Sequence, residues 1–128
     1  MKKTSYIAIL FTIALLALGG CRSNPVLNIT DAEIDTGSKS QSDVKTAIDR
    51  AARTLGWIPK EVSPGHIVVT LRIRTHVAVA DIKYNKDRYS ITYKDSTNLA
   101  YDGVNIHKNY NNWVTHLDRN IQVHLSAM

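Results

Sequence analysis

The chain has 128 residues, 16 of them Lys or Arg and 11 Asp or Glu, and a single cysteine. That length has room for one small domain, and one cysteine excludes an internal disulfide. A formal charge of +5 is too dilute for the dense basic footprint of a nucleic-acid binder, so no nucleic-acid partner is expected.

Met1-Lys2-Lys3 precedes an apolar run from Ile7 to Leu18, which Leu18-Gly19-Gly20-Cys21 closes with small residues. A basic head, a short apolar core and a small-residue exit have the layout of a secretory signal. The twelve residues of the run fall short of the roughly 20 that a membrane-crossing helix needs. The alternatives are a hydrophobic first helix in a cytoplasmic protein and an uncleaved anchor. A free thiol is a liability in an oxidising compartment, which predicts that Cys21 is chemically capped. Leu18-Gly19-Gly20-Cys21 resembles the lipobox of bacterial lipoproteins. The resemblance implies removal of residues 1–20, diacylglycerol on the Cys21 sulfur and acylation of the new amino group. Arg22 stands where an aspartate commonly retains such proteins at the inner membrane. The resemblance therefore implies the outer membrane, with the domain facing the periplasm. Two or more acyl chains hold a protein firmly where one binds reversibly. Without Lys2 and Lys3 the formal charge falls to +3.

Residues 21–39 are rich in Ser, Asn, Asp, Thr and Gly and read as a lipidated cysteine followed by a flexible tether. Some local structure is expected around Val26 to Ile29. Residues 40–128 read as one small domain. Val44, Ala47, Ile48, Ala51, Leu55 and Ile58 recur at three- and four-residue steps and predict an amphipathic helix. Ser40 is its expected N-cap, with Asp43 near the positive helix end, and Gly56 its C-terminal cap. Pro59 and Pro64 then exclude further helix. Ile67, Val69, Leu71 and Ile73 alternate with polar positions and predict a strand. Val77 to Tyr84 predict a second, central strand and Tyr89, Ile91 and Tyr93 a third. The second and third are joined across Asn85-Lys86-Asp87 as a hairpin. One strand from Ile67 to Tyr84 would be unusually long, so Arg74-Thr75-His76 reads as a tight turn. Tyr110, Trp113, Val114, Leu117, Ile121 and Leu125 predict a last helix from about Ile106 or His107 to Leu125. The expected fold is α+β: a three-stranded antiparallel sheet with two helices on one face, in the order α-β-β-β-α.

The segment from Tyr93 to Trp113 is the densest in aromatic and amide side chains. It supplies a candidate ligand or partner surface of Tyr93, Asn98, Tyr101, His107, Asn111 and Asn112. A sugar, a peptidoglycan stem or another envelope protein would suit such groups. In the competing reading Ser96 and Asn98 only tie down a loop, and Tyr110 and Trp113 belong to the core. Ile82-Lys83-Tyr84, Tyr89 to Tyr93, Asp95 to Leu99 and Ile106 to Trp113 are similar to stretches of small Gram-negative envelope lipoproteins. That likeness covers roughly residues 60–125 and implies no activity. Arg72, Arg74 and Lys83 form a candidate basic patch for phosphate or an acidic partner, or else an ordinary solvated face. The five histidines show no metal-binding spacing, so neither a metal nor another cofactor is expected. No nucleophile elbow, carboxylate pair or phosphate loop frames an active site. The leading expectation is a non-enzymatic, lipid-anchored binding or scaffolding module with an envelope protein or cell-wall partner. The alternatives are a small enzyme acting on cell-wall material and a lipoprotein that forms homodimers through its sheet edge.

Overall fold

The computed structural model describes residues 22–128 apart from Thr36 and Ser38. Cys21 and the expected leader, residues 1–20, lie outside the described residues. The elements are β1 (Ser23–Pro25), β2 (Ile29–Glu33), α1 (Gln41–Thr54), β3 (Ile58–Ser63), β4 (His66–Ile73), β5 (His76–Tyr84), β6 (Arg88–Thr97), β7 (Asn105–His107) and α2 (Lys108–Ser126). Among the described residues no helix is long and apolar enough to cross a membrane.

The main sheet has five antiparallel strands in the order β2-β6-β5-β4-β3, and β1 pairs with β7 in a separate two-stranded ladder. The three-stranded α-β-β-β-α arrangement is therefore corrected, because four strands carry no clean alternation. In β2 the inward residues Ile29 and Ala32 are three apart, since a bulge at Asp31 (φ 49°) interrupts the pairing with β6. In β3 Pro59 is tolerated because an edge strand needs no donor on its outer side. β1 and β7 span three residues each, too short for a period to register. The stretch that reads as a tether is thus largely built into the fold, with β1 and β2 both inside it.

α1 begins at Ser40 with a capping box. The Ser40 hydroxyl accepts from Asp43 N–H at 3.1 Å, and the Asp43 carboxylate accepts from Ser40 N–H at 2.9 Å. It ends in a Schellman motif, with Gly56 at φ 86° donating to Arg53 O and Trp57 N–H donating to Ala52 O at 2.9 Å. That fold-back buries Trp57 beneath the helix end. Between β4 and β5 the chain turns in two residues, Arg74 and Thr75, with Arg74 at φ 56°. α2 starts at Lys108, two residues after the earliest expected position, with His107 as N-cap.

The inward side of the sheet presents Ile67, Val69 and Leu71 from β4, Ala78, Ala80 and Ile82 from β5, and Tyr89 and Ile91 from β6. Both helices cover this side. They contribute Val44, Ala47, Ile48 and Ala51 from α1 and Tyr110, Val114, Leu117 and Ile121 from α2 to one continuous core. Tyr89 Oη donates to Asp118 Oδ1 at 2.5 Å and so ties β6 to α2. The opposite face is open, with His66, Val68, Thr70, Val77, Val79 and Asp81 partly exposed.

Candidate binding groove

Beyond β6 the chain makes an irregular loop before β7. Asn98 and Ala100 adopt left-handed φ values of 56° and 51°. Asn tolerates that region through local hydrogen bonding, whereas Ala carries a steric penalty there. Asn98 is fixed twice: its carbonyl lies 2.6 Å from His76 Nδ1, and its side-chain amide donates to Thr75 Oγ1 at 2.7 Å. Leu99 is buried as the loop's plug, and its carbonyl accepts from His107 N–H.

These turns leave a shallow groove of about 400 Å³ lined by Tyr93, Lys94, Asp95, Ser96, Asn98 and Tyr101, with Leu99 and Ala100 at its floor and rim. The Tyr93 and Tyr101 rings lie 4.1 Å apart and tilted by 33°, and Tyr93 meets Tyr110 edge-on at 5.5 Å. Tyr93 Oη is 2.8 Å from Ser96 Oγ. Burial holds the Tyr93 phenol above its ordinary pKa against the Ser96 bond, so it stays neutral and hydrogen-bonding. Tyr101 is 40% exposed and offers its ring to solvent. Lys94 and Asp95 supply one charge of each sign. An aromatic face bordered by hydroxyl, amide, ammonium and carboxylate groups suits a neutral or zwitterionic polar ligand, stacked and hydrogen-bonded.

Of the six surface residues expected from the sequence, Tyr93, Asn98 and Tyr101 meet here and three do not. Asn111 is occupied by the main chain: its Oδ1 accepts from Leu27 N–H and its Nδ2 donates to Pro25 O, both at 2.9 Å. His107 Nδ1 accepts from Asn109 N–H as the cap of α2. Asn112 lies on the exposed side of α2. Trp113 lines a separate small crevice with Leu55, Trp57, Leu71, Ile73 and His116. His107 and Trp113 therefore stand apart from the groove that holds Tyr93 and Asn98.

The basic patch is also divided. Arg72 and Arg74 stand at the β4–β5 turn, whereas Lys83 faces His66, six residues back along β4. That separation is about 20 Å at 3.3 Å per residue. Lys83 instead joins Arg88, Asp31 and Tyr84 around a second depression of about 420 Å³. Sequence reasoning missed a compact polar cluster on the open face: His66 Nε2 lies 2.6 Å from Asp81 Oδ1, and Lys94 Nζ is 3.7 Å from the same oxygen. Strand alternation already put all three on the outward side, and only the register was needed to bring them together. Lys94, Asp95, Ser96, Leu99 and Ala100 complete the groove's lining from within the segment that the sequence marks as densest in polar and aromatic groups. Among the described residues no group of three or more His, Cys, Asp or Glu side chains converges to hold a metal ion.

A scan against protein-family models, a search of curated proteins and a search of solved structures each find no match to this chain.

Proposed function

We propose that this protein is a lipid-anchored module of the Gram-negative envelope that recognises a polar partner through the Tyr93–Tyr101 groove. The observation that carries the reading is the apolar run Ile7 to Leu18 ending at Leu18-Gly19-Gly20-Cys21, whose cysteine is the only one in the chain. Acylation of that sulfur also explains how an exported protein avoids a free thiol. A groove with an exposed aromatic face and mixed polar rim supports recognition of a cell-wall fragment or an envelope protein. Arg22 after the cysteine favours the outer membrane, with the domain on the periplasmic side.

The sheet-edge dimer is less well supported. β3 carries Pro59, Lys60 and Glu61, and β2 carries a bulge with Asp31 and Glu33, devices that oppose edge-to-edge pairing.

Intact-mass analysis of the protein from a Gram-negative host tests the anchor. A chain beginning at Cys21 with attached acyl groups supports it, and Cys21→Ala should then move the protein to the soluble fraction. An unmodified sulfur, or a chain that still starts at Met1, refutes it. Co-purification with Tyr101→Ala as the control tests the groove, because loss of a crosslinked partner in that variant ties recognition to the ring.

A further inference from the structure

The first described residues fix where an anchor on Cys21 meets the domain. The Arg22 carbonyl accepts from Lys108 N–H at 2.8 Å, and Ser23 stands opposite His107. The Cα of Cys21 is one peptide step, about 3.8 Å, from that of Arg22. An anchor on Cys21 is therefore joined to the domain through Arg22, whose carbonyl is bonded to the start of α2.

The side of α2 that faces away from the core carries Lys108, Asn112, His116, Arg119, Gln122 and Val123, all exposed. At 3.6 residues per turn they form one stripe opposite Tyr110, Val114, Leu117 and Ile121. Both fixed charges on it are positive. The one carboxylate of α2, Asp118, accepts from Tyr89 Oη and from Gln122 Nε2 at the border of the stripe. Glu33 and Asp35 line a depression with Gln122, so the positive part of the stripe runs from Lys108 to Arg119. Val123 adds an apolar side chain that is 62% exposed. Other surfaces are mixed: α1 shows Asp43 and Asp49 beside Arg50 and Arg53, and the open sheet face shows Asp81 and Asp95 beside Lys83 and Lys94.

We infer that the exposed side of α2, with Arg22, is the surface on which the domain rests against anionic lipid headgroups of the bilayer that holds Cys21. The inference rests on the anchoring reading above. Charge complementarity selects this side, and the short link through Arg22 makes it effective, because attraction to a charged leaflet fades over about 8 Å at physiological salt. Each Lys or Arg held at such a surface strengthens attachment about fivefold, so Arg22, Lys108 and Arg119 together amount to about a hundredfold. Because the stripe points away from the sheet, this pose turns the open sheet face outward from the membrane.

Amine acetylation of the lipidated protein, read by mass spectrometry, tests the pose without any substitution. The protein is reconstituted into phosphatidylglycerol vesicles and, separately, into phosphatidylcholine vesicles. Lys108 should be acetylated more slowly on phosphatidylglycerol than on phosphatidylcholine, with Lys83 and Lys94 unchanged between the two. High salt should abolish the difference, and Arg119→Gln should reduce it. Equal rates for all three lysines, or slowing at Lys83 and Lys94 instead, would overturn the inference while leaving the anchor intact. A protein recovered without acyl groups would overturn the anchor and the pose together.

Discussion

Tyr89 and Tyr110 bury similar phenols with opposite hydrogen-bond accounts. Tyr89 Oη donates to a carboxylate, whereas Tyr110 Oη has no partner among the described residues. The same substitution should therefore act differently at the two positions. Tyr89→Phe removes the shorter of the bonds to Asp118, leaving only those from Gln122 Nε2 at 3.3 and 3.4 Å, and should cost about 1.5–3 kcal/mol. Tyr110→Phe removes a desolvated, unpaired hydroxyl and should be neutral or stabilising. Urea denaturation midpoints measured side by side check the contrast, and equal losses would contradict it. Burial, reinforced by Asp118 at Tyr89 and by Tyr93 at Tyr110, raises both phenol pKa values well above the ordinary 10.0. A raised folded pKa gives stability that is complete below the unfolded value and is lost as pH rises through the folded one. The protein should hold its midpoint up to about pH 10 and weaken beyond it, and Tyr110→Phe should blunt that alkaline decline.

At the scale of single elements, α1 is the most locally encoded part of the fold, since its stripe and both caps are read directly from neighbouring residues. Ser40→Ala removes the hydroxyl that receives Asp43 N–H and should cost about 1 kcal/mol in thermal or urea unfolding. Bonds from Ser40, its backbone N–H first, hold the Asp43 carboxyl below its ordinary value of 3.8. A depressed folded pKa contributes stability above the unfolded value and loses it as pH falls through the folded one. The penalty of Asp43→Asn, which removes the carboxylate itself, should accordingly shrink in acid, and a penalty constant down to about pH 2–3 would refute this coupling. β4, β5 and β6 were as legible as the helices, because one buried face imposes a period of two and two turns separate them. β2 and β3 were not. The bulge at Asp31 shifts the period inside β2, and Pro59 signals a breaker where it in fact marks an edge. The groove was half legible for a related reason: Tyr93, Asn98 and Tyr101 are close in sequence, so one loop suffices to gather them. Asn111 and His107 look equally available in the sequence, and only the fold shows them bonded to main chain at β1 and at the start of α2.

For the whole molecule the decisive feature is that the chain is folded from its first described residue, which leaves an anchor no slack. Asn111 is the clasp. It holds both Pro25 O and Leu27 N–H, while Val26 N–H donates to Val104 O between them. Asn111→Ala deletes two of these bonds from a three-residue ladder that has little other support, so Arg22 to Leu27 should fray while the main sheet stays closed. Hydrogen exchange at Val26 and Leu27 should accelerate strongly, with amides of β4 and β5 unchanged. Six freed residues reach about 20 Å when extended, more than twice the screening length, so under the proposed anchoring the domain leaves the surface while Cys21 stays in it. Acetylation of Lys108 on phosphatidylglycerol vesicles should then rise to the rate seen on phosphatidylcholine. If exchange accelerates but Lys108 keeps its protection, the charge on α2 holds the domain down without help from the short leash.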